Sequence, residues 1–443
     1  MTALPSSSEE RKPTEMLTAV RFTVSFGLAL VLAVLGLALR NLAIAALSFT
    51  PLFYSMTLLL SYLALPHHEI EARRGVDRFR ATEGEPIGVR VSLATEKGSY
   101  PMVFVHDELP DGLSCASGDV HYQGPLSLSQ PRAALQYTLE GRRGVYALGG
   151  VHALVWSRFG LALTELTVES PVTLRILPAS EKLGVIPIRP RRTRAFAGPI
   201  RSNLPGAGID FFGCRAFAPG DDIRRIHWRA YARTQELVIC EYEQERITDV
   251  SLILDARSRA HAAIGSHRTF EFAAQATASL ASSFCRQGNN VGLLIYGDVL
   301  NWVFPGVGRS QIDRIHDALS TARLANKLAF EDLRQIPTRL FLPHSQLVLV
   351  SCHLDEADIE TLALLKTKGY SILFVSIDTI PLESDQLPSS NDTALAVRIA
   401  RLRRSLYLQS LERYGVQVID WNPTAPLAQA IERTRRMHRR MRP

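Results

Sequence analysis

Cysteine is scarce in this chain: five of 443 residues, at Cys115, Cys214, Cys240, Cys285 and Cys352. An odd, scattered set with no CxxC pair and no His-rich companion fits neither a disulfide framework nor a zinc site. A reducing cytosol is the simplest setting. The short signatures of common enzyme chemistry are missing too: there is no GxSxG, no HExxH, no Walker A and no glycine-rich dinucleotide fingerprint in a suitable context. No catalytic residue and no cofactor is assigned from the sequence.

Positive charge, by contrast, is plentiful. Lys and Arg number 50 against 43 Asp and Glu, a formal net charge of +7. Two clusters stand out, "RPRRTR" at 189–194 and "RTRRMHRRMR" at 433–442. The second reads as a basic amphipathic helix with Ile431 and Met437 on one side. A solvated terminal helix and a contact with lipid headgroups or a partner both remain open. Aromatic residues do not interleave the clusters, so nucleic acid is not an expected partner.

Uncharged runs begin early. Phe22 to Leu39 carries no charge, and after Arg40 and Asn41 a second uncharged run extends from Leu42 to Leu65. At about 1.5 Å per residue each run reaches across roughly 30 Å of hydrocarbon, which predicts a transmembrane hairpin over 22–65 behind a leader at 1–21. Pro51 interrupts the second run, where the hydroxyls of Ser48, Thr50 and Ser55 can satisfy freed backbone groups of a kinked helix. Arg11, Lys12 and Arg21 precede the hairpin, Arg73, Arg74, Arg78 and Arg80 follow it, and Arg40 alone marks the turn. The positive-inside rule then puts both ends in the cytoplasm, as expected of a two-span inner-membrane protein in contact with membrane lipid. His67 and His68 adjoin the membrane end, and no site is assigned to them.

From 78 to 178 the text alternates in short runs, "VRVSLA", "MVFVHDEL", "ALQYTL", "VYALGGVHALVW" and "VTLRIL", with Gly, Pro and Asp between them. Such alternation predicts an antiparallel, immunoglobulin-like β-sandwich of roughly 100 residues. Residues 181–205, rich in Arg, Pro and Gly, read as a connector within a segment spanning 179–246. Beyond 247, the apolar runs "VSLILD", "VGLLIYG", "QLVLVS", "SILFVSID" and "VQVID" alternate with helical stretches. The first of these helices carries Phe270, Ala273, Ala274, Leu280, Ala281 and Phe284 and ends at Gly288. A parallel sheet covered on both sides is expected over 247–443.

Between these parts lies "APGDDIRRIHWRAYART", residues 218–234. Its PGDD turn supplies Asp221 or Asp222 as N-cap for one short helix, and Asp221 can pair with Arg225. Arg224, Arg225, Arg229 and Arg233 share the run with Ile226, Trp228 and Tyr231. Either they clamp the helix to its own domain, with Glu241, Glu243 and Glu245 as acceptors on one strand face, or they present an anion or partner site. His227 is the one tempting general acid or base, the basis of an alternative reading as an envelope-associated enzyme.

The segment Gly208–Glu243 resembles the hallmark of the bacterial family known as domain of unknown function 58. The matching positions are Gly208, Phe211, Arg215, Pro219, Gly220, Asp221, Arg224, Ile226, Trp228, Ala232, Arg233 and Thr234. The family's RRGxYxLG run is seen as Arg142, Arg143, Gly144, Tyr146, Leu148 and Gly149, whereas its DPFGL element reads Ser157, Arg158, Phe159, Gly160 and Leu161. The resemblance implies a C-terminal von Willebrand factor type A-like, Rossmann-like domain. It also implies a MoxR-type AAA+ ATPase as partner, and hence a non-catalytic scaffold or adaptor in envelope-related assembly or chaperoning. Interaction residues carried over are Arg215, Pro219, Gly220, Asp221, Asp222, Arg224, Trp228, Arg233 and Thr234.

Type A domains often place Asp-x-Ser-x-Ser after the first strand, where hard oxygens hold Mg²⁺. Here the loop reads Asp255, Ala256, Arg257, Ser258, Arg259. A guanidinium has no lone pair to give a cation and repels it. No metal site is therefore expected; Asp255 is the remnant of a degenerate loop, neutralised by Arg257 or Arg259, and Asp355 is either a further member or a helix cap.

Overall fold

The computed structural model describes residues 13–63, 70–95, 99–127, 133–157, 160–161, 163–184, 186, 194–261, 263–264, 267–297, 300–325, 333–335, 340–388 and 390–440. Arg11, Lys12, His67, His68, Arg158, Phe159, the arginines at 189, 191 and 192, and the last three residues lie outside them. The chain divides into two compact units, Met1–Ile176 and Leu177–Pro443.

The first unit opens with helices α1 (Pro13–Ala38), α2 (Leu42–Leu47) and α3 (Phe49–Leu63). Ala19–Ala38 and Leu42–Leu63 are long and apolar enough to cross a membrane, with mean hydropathies of 2.1 and 1.7. The turn between them is set by Arg40, whose φ is 45°, and by Asn41, whose Oδ1 accepts from Ala43 N–H at 3.0 Å. Gly36 lets the two helices close up, since a Cβ there would lie 2.5 Å from the nitrogen of Ala45. The second run breaks at Ser48 rather than kinking at Pro51 itself. Proline lacks the N–H that would bond the carbonyl four residues back, so α2 stops at Leu47. Ser48 Oγ donates to Ala45 O at 2.6 Å and Ser55 Oγ to Pro51 O at 2.7 Å, while Ser55 also meets Ser25 of α1 at 2.9 Å.

Antiparallel sheets follow. Strands β1 (Ile70–Val76), β3 (Ile87–Thr95), β7 (Ala133–Gly141) and β5 (Leu113–Gly118) form one, in the order β1-β3-β7-β5. A second runs β10 (Leu163–Val168), β9 (Val151–Trp156), β4 (Ser99–Asp107), β6 (His121–Ser127). The third joins β2 (Arg80–Thr82), β11 (Val172–Leu177) and β8 (Gly144–Leu148). Alternate residues share one buried core, among them Val89, Val91 and Leu93 of β3, Val103 and Val105 of β4, Leu135, Tyr137 and Leu139 of β7, and Val151, Ala153 and Val155 of β9. Strand β1 precedes the expected start at 78 because its text, "IEARRGV", is too charged to read as half-buried. The side chain of Arg74, a flanking charge by position, is wholly buried: it forks onto Asp107 and donates to the carbonyls of Gly149 at 2.9 Å and Ser170 at 2.7 Å.

In the second unit the stretch expected as a connector is structured. Leu183 and Ile186 belong to the core, and β12 (Arg194–Ala216) pairs antiparallel with β13 (Val238–Ile247) as a long hairpin. Its composition misleads because Pro199, Pro205 and the neighbouring glycines fall at register shifts between Ala195 and Ile200, Ser202 and Pro205, and Gly206 and Phe211. Proline and glycine are tolerated in strands at such bulges.

A six-stranded sheet follows, in the order β18 (Asn301–Gly306), β17 (Asn290–Tyr296), β14 (Asp249–Asp255), β19 (Gln346–Ser351), β20 (Ser371–Ile377), β21 (Gln417–Trp421). All neighbours are parallel except β18, which runs antiparallel along β17. A two-residue ladder, β15 (Ala263–Ile264) with β16 (His267–Arg268), precedes α5 (Thr269–Arg286). Leu252 and Leu254 face the core shared with α5, α6 (Gly308–Thr321) and α10 (Leu427–Arg440). Ile253 faces the core shared with α7 (Glu356–Thr367) and α9 (Asn391–Arg413), which follows the short α8 (Ile380–Ser384). Both sheet faces are thus covered, as their near-continuous apolar strands require.

Candidate functional site

Two places gather the residues singled out by the sequence. The first is the crevice at the carboxyl ends of β14 and β19, where the strand order reverses and open α/β sheets commonly bind ligands. Asp255 ends β14 and Ser351 ends β19, and Ser351 Oγ donates to Asp255 Oδ2 at 2.9 Å. The chain leaves β14 through Ala256, whose N–H donates to Tyr296 O at 2.7 Å and whose carbonyl accepts from Ala325 N–H at 2.8 Å. This fastening turns Arg257 back into the crevice.

Arg257 fills it. Nε lies 2.9 Å from Asp255 Oδ1 and Nη2 2.8 Å from Oδ2, while Nη1 and Nη2 reach Asp358 Oδ1 at 3.1 Å and Oδ2 at 2.7 Å. Its backbone N–H donates to Asp255 Oδ1 at 3.1 Å as well. The three side chains are 0 to 1 % exposed. Burial alone would push the guanidinium pKa down; the bonds to the two carboxylates more than reverse that and raise it. The same pairing holds the Asp358 carboxyl below its ordinary value against its own burial. Two charge-assisted forks thus compensate a charge that would otherwise be costly to bury. The guanidinium puts donors where a divalent cation would need acceptors, so this set does not fit a metal ion.

Arg259 sits further out and pairs with Asp355 at 3.0 Å. Asp355 caps α7 in a reciprocal box with Asp358, and the bond between these two carboxyls, with burial, raises the Asp355 pKa. His261 completes the surroundings. Its Nε2 lies 2.6 Å from the carbonyl of Asp255, so Nε2 carries the proton, and Nδ1 is left to accept from Cys352 Sγ at 3.4 Å. Burial pushes the Cys352 thiol up to about 12, which keeps it a donor. Ser351, Asp358 and His261 escaped the sequence reading. Of these, only Asp358 carried a signal, as an acid three residues after a helix cap.

The second place is the hairpin bearing the motif. Arg215 of β12 forks onto Asp221 at 2.6 and 2.7 Å and reaches Glu241 of β13 with Nε at 2.7 Å. Asp221 therefore pairs with Arg215 rather than Arg225. It also accepts from Ala218 N–H at 2.8 Å, closing the turn in which Gly220 takes a φ of 106°. The bonds from Arg215 and from Ala218 hold the Asp221 carboxyl at about 2. Glu243 and Glu245 lie in the strand backbone, but their side chains are outside the described part.

One helix was expected; there are two turns. Asp222 caps a 3-10 turn, Ile223–Arg225, accepting from Arg224 N–H at 3.0 Å. Ile226 then bridges to Ile239, its side chain 8 % exposed. That inward residue breaks the helix, because its backbone joins the sheet instead. His227 starts α4 (Trp228–Thr234), with Nδ1 accepting from Ala230 N–H at 2.9 Å. Thr234 Oγ donates to Ala230 O at 3.1 Å, and Gln235 ends the helix with a left-handed φ of 56°.

The ion pairs that tie down the turn are made by Arg215, itself 43 % exposed, and not by Arg224, Arg229 or Arg233 of the 218–234 run. Those three arginines are exposed beside Trp228 and Tyr231. Those two rings meet edge-on with centroids 6.2 Å apart.

Residues 213–396 match the model of a family described as protein of unknown function DUF58, a span that takes in both the Arg215 clamp and the Arg257 crevice. A particular relative is uncharacterized protein YeaD of Bacillus subtilis (strain 168), 23 % identical over 265 residues, which are 57 % of this chain and 63 % of that protein. The chain thus spans less than two thirds of that relative. Among solved structures, a non-cellulosomal cohesin from the hyperthermophilic archaeon Archaeoglobus fulgidus is similar at 14 % identity and a TM-score of 0.18, over 24 % of this chain and 91 % of that one.

Proposed function

We propose that this chain is a membrane-anchored, non-catalytic scaffold or adaptor whose second unit docks a protein partner through the motif hairpin. The exposure of Ile223, Trp228, Tyr231 and Leu237, at 65, 58, 40 and 41 %, carries the reading. Large apolar side chains among exposed arginines, on an element tied down by the Arg215 clamp, have the composition of binding hot spots and lose little ordering entropy on docking. The strand order, with its crevice between the first and fourth strands of the sheet, supports a von Willebrand factor type A-like fold, and the antiparallel sheets support an immunoglobulin-like sandwich. By the family resemblance the partner is a MoxR-type AAA+ ATPase in envelope-related assembly or chaperoning, met on the cytoplasmic side of the inner membrane.

This docking needs no divalent ion, because the crevice where one would sit is filled by the guanidinium of Arg257, paired with Asp255 and Asp358. Affinity capture from native membranes should recover the ATPase with wild-type protein and lose it with Trp228→Ala. Repeated recovery without the ATPase at native expression removes that partner. A saturable Mg²⁺-dependent thermal shift that Asp255→Ala abolishes would refute the metal-free reading.

A further inference from the structure

We propose that the solvent face of α9 binds an anionic lipid surface, an inference that rests on the membrane-anchored reading. Leu395, Ile399, Leu402 and Leu406 are 55, 44, 61 and 57 % exposed. Their 4-3-4 spacing gathers them into an arc of about 60° on one side of the helix. The opposite side faces the sheet: Leu408 and Leu411 are buried, and Arg404 donates to Ser376 Oγ and Asp420 Oδ1 at 2.8 Å each. The outer stripe is therefore additional to the face that folding uses.

Charge selects its occupant. Arg398 and Arg403, both exposed, flank the stripe about 70° to either side of its centre. In a parallel pairing of two α9 helices these positions face one another across the seam, so a second copy in that register would set arginine against arginine. An anionic bilayer meets both demands. The leucines enter the boundary between headgroups and acyl chains, and the arginines extend sideways to the phosphates along their apolar stems. Ala19–Ala38 and Leu42–Leu63, apolar enough to span a membrane, keep such a surface within reach of the chain.

The test places a photo-crosslinking residue, Leu402→p-benzoylphenylalanine, in the full-length chain reconstituted into nanodiscs of phosphatidylcholine alone or mixed with phosphatidylglycerol. Lipid adducts should form with phosphatidylglycerol and fall by about 30-fold or more without it. Arg398→Gln with Arg403→Gln should cut the adduct by about 30-fold at subsaturating phosphatidylglycerol, the equivalent of about 1 kcal/mol per arginine. Equal adduct yields in the two compositions, or adducts to protein in place of lipid, overturn the proposal. A chain that enters neither nanodisc sinks the anchoring reading instead. Sedimentation with phosphatidylglycerol vesicles then decides for the stripe, absence of binding overturning it.

Discussion

Arg257 and Asp358, 101 positions apart in the sequence, meet as a two-pronged ion pair, Nη1 to Oδ1 at 3.1 Å and Nη2 to Oδ2 at 2.7 Å. The pair joins the loop after β14 to the first turn of α7 across the sheet's switch point. Asp255 holds the guanidinium from the other side, and the ring of Tyr296 lies 5.4 Å from its central carbon.

Removing the cation should therefore leave two buried carboxylates uncompensated. Arg257→Ala is expected to destabilise the second unit by about 3–5 kcal/mol. Arg259→Ala, which breaks the half-exposed pair with Asp355, is expected to cost only about 0.2–1 kcal/mol. Urea midpoints of the two variants, measured side by side, check the contrast.

Arg215→Ala should separate stability from recognition. Its ion pairs are solvent-screened, so the unfolding midpoint should scarcely move. The turn at 217–222 loses the fork that fixes it, and hydrogen exchange there should quicken while partner capture falls. Arg215→Lys should rescue neither property, since an ammonium cannot fork onto Asp221.

His261 predicts a loss of stability in mild acid. Burial lowers its folded pKa below the ordinary 6.5. Near 6.5 the unfolded chain takes up a proton that the folded ring takes up only at lower pH, so the unfolded state binds more protons in that window. The contribution is complete above pH 6.5 and is lost as pH falls through the window toward the folded value. Stability curves across this range should flatten in His261→Gln, and an unchanged slope would contradict the assignment.

Gly36→Val should separate α1 from α2. Even a Cβ at this position meets the backbone of Ala45, and valine adds two methyls. Close helix approach through small residues is what permits such contacts in an apolar medium. The expected result is a lower melting temperature in detergent and faster proteolysis near the Arg40 turn, with Gly27→Val, where nothing lies within 4 Å of the Cβ, as the control.

Much of this was legible in the sequence because it depends on neighbours along the chain. The apolar runs, the alternation of β9 and the near-continuous strands β14, β17 and β19 all announce themselves through periodicity. The helix break at Ile226 did not, because a single inward isoleucine reads the same on either backbone. Nor did the hairpin at 194–216, whose prolines and glycines look like a connector until β13 supplies the partner that turns them into bulges.

The sequence by itself determined where apolar segments and sheet strands lie and that Arg257 and Arg259 follow Asp255 in the loop after the first strand of the parallel sheet, since residue type and local period need no distant contact. Only the tertiary structure decided which arginine enters the crevice and which acids receive it. That choice depended on α7 bringing Asp358 across the sheet, and on Ala325 fastening the loop so that Arg257 points inward while Arg259 stays outside.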